Sequence, residues 1–150
     1  MTHKEWKELT PEQKRIKVAE LDGYSSISEP TDEWVARYEE NIGHLPNNTL
    51  VGKRNNQGLD LVPDYLNDLN AMHEMEADKF LNNDKINDEL RFAYGIILHK
   101  LNMQYGLNIS VWETLYASSE QRAEAMVLTF SSTLVKKDDV NFVLAMEGDL

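Results

Sequence analysis

His73 and Glu76 stand one helical turn apart within LVPDYLNDLNAMHEMEADKFL, on a stripe where apolar residues are expected. An imidazole and a carboxylate at that spacing can share a proton, hold a polar ligand or satisfy one another. Burying a charge without a partner is costly, so each group needs a partner, solvent or a pocket. Two readings follow. The pair ties its helix to a neighbour by hydrogen bonds, or it lines a ligand pocket at a junction of helix and sheet. Zinc hydrolysis is not indicated, because HEMEA lacks the second histidine of the His-Glu-x-x-His pattern.

Arg122 is the second informative group. It sits in the first turn of an expected helix, where a cation opposes the helix dipole and calls for a carboxylate or an anion. Asp64, Asp68 and Glu76 are its candidate partners. Arg91 and the pair Lys53-Arg54 are further basic groups. Tyr65, Trp112 and Trp34 offer faces on which a planar ligand could stack, although such residues more often build a core. Tyr65, His73, Glu76, Arg91, Trp112 and Arg122 are therefore the candidate ligand-binding set. No catalytic residue and no metal ligand is nominated. The four histidines, His3, His44, His73 and His99, lack ligand-like spacing. No Gly-x-Ser-x-Gly elbow occurs, and GKRNNQG lacks the context of a phosphate loop. A non-enzymatic protein without a cofactor is expected.

Helices must position these groups. Thr10-Pro11-Glu12-Gln13 reads as a cap, a first-turn proline and a capping box, and Gly23 closes that helix. Trp6 and Leu9, just upstream, are expected to staple it to the core. Pro63 is expected to open the central helix, running to Leu81, with Val62, Tyr65, Leu66, Leu69, Met72, His73, Glu76 and Phe80 on one side. Asn82-Asn83-Asp84 stops it. Residues 87–105 fit a helix by length, although Phe92, Tyr94, Ile96 and Leu98 alternate as a strand would and Gly95 weakens a helix interior. Asn108–Tyr116 and VNFVLAMEG read as strands. Ser118-Ser119-Glu120-Gln121 is a second capping box before a helix through Phe130. Residues 25–62 read as an irregular insertion with a short helix at Asp32–Asn41, stopped by Gly43, and at most one hairpin near Leu50-Val51.

The chain has 150 residues, enough for one domain with one core. It has no cysteine, which excludes disulfides and thiolate chemistry. No apolar run approaches the roughly 20 residues of a membrane span, and the polar start MTHKEWKELTPEQKR lacks a secretory core, so a cytoplasmic protein is expected. With 15 basic and 26 acidic residues the net charge is −11, which disfavours direct binding to nucleic-acid phosphates. The acids are interleaved with Lys and Arg, as on a solvated surface.

Three blocks together resemble a known pattern. VPDYLNDLNAMHEMEADKFL, ASSEQRAEAMVLTF and TPEQKRIKVAELDGY are similar to segments of the phage ABA-sandwich domain family, small proteins of tailed phages and prophages. The resemblance covers about half the chain and omits residues 25–60 and the tail beyond Ser132. It implies an α+β fold, a small layered α/β/α sandwich with a short sheet between helices; a mostly α fold is the alternative. It carries no active site to transfer. A phage accessory protein of the host cell cytoplasm is the expectation, a homo-oligomer that counters defence by sequestering an immune nucleotide signal. The alternatives are an acidic inhibitor of a host protein or nucleic-acid mimic, and a small assembly adaptor.

Overall fold

A computed structural model describes residues 1–55, 57–83, 88–103 and 117–131, and the fold they form is a small α+β fold. The strand expectations for residues 108–116 and 140–148, and Trp112 with them, lie outside the described residues. The chain divides into two compact units, one of residues 1–18 and 64–150, the other of residues 19–63.

The larger unit opens with α1, His3–Glu8, capped by a box in which Thr2 and Glu5 exchange side-chain and backbone bonds. Trp6 belongs to this short helix and is buried, the anchoring role expected of it. Next comes α2, Pro11–Leu21, with Gln13 Oε1 accepting from Thr10 N at 2.9 Å and Thr10 Oγ1 accepting from Gln13 N at 3.2 Å. Gly23 follows with φ of 96°, the left-handed conformation that ends a helix without a Cβ clash.

The central helix differs from the expectation. Helix α4 begins at Leu69 and runs to Glu76; Pro63 opens a turn instead. Asp64 accepts from the backbone of Asn67 at 3.0 Å and of Asp68 at 2.8 Å, closing that turn. Asp68 then caps α4, its carboxylate accepting from Asn70 N at 2.9 Å and Ala71 N at 3.3 Å. Short Asp and Asn side chains here bond to nearby backbone more readily than they continue a helix. A π-helical turn, Ala77–Leu81, completes the element and turns Phe80 inward. Its ring lies 4.8 Å from that of Tyr94 and 5.7 Å from that of Phe130.

Residues 88–103 form a helix, α5 (Asp88–Met103), with Ala93, Tyr94, Ile97, Leu98 and Leu101 buried; length prevails over the strand-like alternation. The last described element is α6, Ser119–Ser131, which starts with the expected box, Ser118 N donating to Gln121 Oε1 at 2.9 Å. Every residue from Arg122 to Thr129 is buried, so α6 rather than α4 is the centre of this unit. A helix buried all round has little apolar periodicity, whereas α4 has a clear stripe. That contrast drew the sequence reading to the wrong helix.

The smaller unit corrects the expectation of an irregular insertion. It holds three antiparallel strands in the order β1 (Tyr24–Ser28), β2 (Val51–Arg54), β3 (Leu59–Leu61) and the helix α3 (Asp32–Asn41). The hairpin near Leu50-Val51 is present, pairing Val51 with Leu61 and Lys53 with Leu59. The added strand is β1, which pairs Tyr24 with Arg54 across a bulge between Ser25 and Ser28. Its sequence YSSIS has few apolar residues, so alternation is weak there. Asp22 is buried and accepts from Arg54 Nη2 at 3.2 Å, while the Arg54 guanidinium lies 5.5 Å from the centre of the Tyr24 ring. Burial pushes the Tyr24 phenol above its ordinary range, with Arg54 acting in the opposite direction.

Gly52 lets β1 and β2 approach closely. A Cβ there would lie 3.1 Å from Ile27 Cγ1 and 3.2 Å from the Ser25 carbonyl oxygen. Backbone cannot yield as a flexible side-chain tip would. Gly52→Ala is therefore expected to destabilise the protein by about 1–3 kcal/mol in urea unfolding, as overpacking does. Unchanged stability would show that the sheet opens there without cost.

Candidate functional site

The described candidate residues do not converge on one pocket. Three groups do meet around the carboxylate of Glu76 at the end of α4. Arg122 Nη1 donates to both of its oxygens, at 2.9 and 3.1 Å, from the first turn of α6. The Tyr94 hydroxyl of α5 donates to Oε1, and His73 Nδ1 lies 3.1 Å from Oε2. The Arg122 Nε also donates to the Ala117 carbonyl at 3.2 Å. Glu76 is thus the partner that Arg122 was expected to need. Burial pushes the Tyr94 phenol far above its ordinary range, and the neighbouring Glu76 charge adds to the rise. A phenol held protonated is a hydrogen-bond donor here and no base.

His73 corrects the sequence reading. Its side chain is 49% exposed, against 15% for Glu76, so it lies outside the buried stripe. The buried positions of α4 are Ala71, Met72 and Met75. Counting Val62, Tyr65 and Leu66 as helical had rotated the inferred apolar face towards His73. Without them the face centres on Met72 and Met75. Tyr65 itself is buried, 1% exposed, outside any helix. Arg91 projects from α5 and pairs with Asp88 at 3.1 Å along its own helix, a surface contact of small energetic weight.

A second polar cluster in the larger unit went unmarked in the sequence. His3 Nδ1 of α1 hydrogen-bonds Glu124 Oε1 of α6, and both side chains are largely buried. Beside them lies a cavity of about 100 Å³, lined by His3, Trp6, Lys7, Lys14, Leu101, Ser118, Glu120, Gln121 and Glu124. Lys14 Nζ reaches Glu120 at 2.9 Å and sits 5.4 Å from the centre of the Trp6 ring. Trp6 Nε1 and His3 Nε2 are buried without a hydrogen-bond partner among the described residues. Burial raises the Glu124 carboxyl above its usual range, opposed by its bond to His3 and by Lys14 and Lys7. The Thr2–Glu5 capping box signalled α1, but nothing local pairs residues 121 positions apart. Among the described residues no group of three or more acidic, His or Cys side chains could hold a metal ion.

The Glu76 cluster is built to hold helices together. Removing one member of a buried ion pair strands the other, so Arg122→Met is expected to cost about 3–5 kcal/mol in urea unfolding. Arg122→Met combined with Glu76→Met should cost less than Arg122→Met alone. His73→Ala should change stability by less than about 1 kcal/mol, as an exposed partner does. A double variant worse than the single one would contradict this account.

Glu124 gives a pH signature. Its folded carboxyl titrates above the unfolded one, so its contribution is fully present at low pH and is lost as pH rises through the raised value. The stability of the native protein relative to Glu124→Gln should therefore grow on going from about pH 7 to about pH 5. A difference that shrinks over that interval would reverse the assignment. Neither a family model, nor a curated protein, nor a solved structure matches this chain.

Proposed function

We propose that this is a non-enzymatic phage accessory protein of the host cell cytoplasm that acts by binding a host protein through its acidic surface, as an inhibitor or nucleic-acid mimic. The phage context rests on the resemblance of the three sequence blocks. The observation that carries the mode of action is how charge is distributed. Among the described residues, the acids drawn inside each have a basic partner: Asp22 with Arg54, Glu76 with Arg122, Glu124 with His3. The net charge, −11 with the histidines counted neutral, is therefore carried mainly by the other acids, which among the described residues are largely exposed. A net acidic excess on a mixed surface favours association with a basic partner and disfavours nucleic acid.

Sequestration of a nucleotide signal by a homo-oligomer is the second reading. Its footing is the cavity beside Trp6, where Lys7 and Lys14 could face a phosphate. At about 100 Å³ the cavity suits a single phosphate-sized group, whereas pockets enclosing whole small ligands run to roughly 300–1,000 Å³. The reading thus needs a ligand held mostly outside it, or a site completed by a second copy.

Native mass spectrometry of protein from infected cells separates the two. A complex with a host protein that dissociates as salt rises from about 0.05 to about 0.5 M is the expected result. A nucleotide-sized mass on an oligomer, released by heating, would replace it with sequestration. A bare protein that co-purifies with virions would point to an assembly adaptor and overturn both.

A further inference from the structure

We infer that the cavity beside Trp6 is a binding site for one tetrahedral oxyanion, a free phosphate or the phosphate end of a monoester. It shares the cavity of the sequestration reading and rests on it, but needs neither a whole nucleotide nor a second copy. Every residue lining it belongs to the larger unit. At about 100 Å³ it accepts one such group and leaves a base and sugar outside. Its polar lining is rich in donors. Trp6 is 1% exposed, and its Nε1, which can only donate, has no hydrogen-bond partner among the described residues. His3 Nε2 is likewise buried and unpartnered there, because Nδ1 is the ring nitrogen that meets Glu124. A buried donor without an acceptor is costly, and an oxyanion presents acceptors on every side.

Charge favours the same occupant. Lys7 from α1 and Lys14 from α2 bring two ammonium groups to the lining, and α5 contributes only Leu101. Lys14 is largely buried and donates to Glu120 at 2.9 Å, one bond for a group that has three donors. The cavity also lies at the start of α6, where the dipole of a 13-residue helix favours negative charge. Two carboxylates oppose an anion. Glu120 is 54% exposed and held by Lys14, so water and its partner both weaken its field. Glu124 is bonded to His3, and burial holds its carboxyl above the usual range. As pH falls it takes up a proton, and His3, Lys7 and Lys14 then outweigh Glu120. Affinity for an anion should rise in step.

The test titrates the full, isotope-labelled chain with sodium phosphate, against sodium chloride of equal ionic strength, and follows the indole N–H resonances by NMR. The Trp6 resonance should move and saturate at millimolar phosphate, while that of Trp34, in the smaller unit, should stay in place. Lys7→Gln, on an exposed residue, should weaken the affinity about fivefold. Sulfate, whose own charge is constant near neutrality, should bind more tightly at about pH 5.5 than at about pH 7.5. A nucleoside monophosphate that moves the same resonance would assign the site to phosphate esters and strengthen sequestration. Movement by the inorganic ions alone would assign it to free phosphate and leave sequestration without its cavity. No movement of the Trp6 resonance with any of these anions, or an affinity unchanged in Lys7→Gln, would overturn the site. Neither result touches the acidic-binder reading, which does not use the cavity.

Discussion

The larger unit is organised around one carboxylate. Glu76 is mostly removed from water, and a charge in that position is tolerable only if the interior supplies donors. Arg122 supplies two contacts to it from α6 and Tyr94 supplies another from α5, so one side chain ties the end of α4 to two other helices. Such a node is demanding in geometry. It is satisfied only when the first turn of α6 faces the last turn of α4 and Tyr94 points between them. The π-helical turn that follows Glu76 serves the same place, since it brings Phe80 against the Tyr94 ring and onward to Phe130. Polar specification and aromatic packing thus share Tyr94.

The rest of the larger unit follows from the burial of α6. Small residues, Ala123 and Ala125, precede the larger Met126, Val127 and Leu128, and all five are buried. Its buried Glu124 meets His3 from α1, and Trp6 adds apolar weight to that short helix. Six residues of helix would be marginal alone. Here α1 holds through its capping box, one aromatic anchor and one polar pair. The smaller unit solves a different problem, with a three-stranded sheet whose strands close up at Gly52 and whose buried Asp22 is matched by Arg54.

These arrangements bear on function by subtraction. Of the groups expected to handle a ligand, Glu76 and Arg122 are engaged with one another and with Tyr94, and Arg91 pairs along its own helix. A carboxylate already accepting from a guanidinium and a phenol has little capacity left for a guest.

Local signals determined much of the secondary structure. The boxes at Thr10–Gln13 and Ser118–Gln121 mark helix starts because a side chain and a backbone three residues apart satisfy each other without help from the rest of the chain. The bounds of α3 and the stops at Gly23 and Gly43 were legible for the same reason, as left-handed glycines end a helix locally. The need of Arg122 for a carboxylate was also legible, with Glu76 among three candidates, because a cation at a helix start is unfavourable by itself. Tertiary structure decided the choice among them. It also decided that α4 starts at Leu69 behind its Asp68 cap, that His73 faces outward, that β1 joins a hairpin, and that α6 rather than α4 lies at the centre. The bond between His3 and Glu124 belongs to this second class. Each of these depends on what a residue meets across space, and a pattern read along one chain records only the residue's own preference.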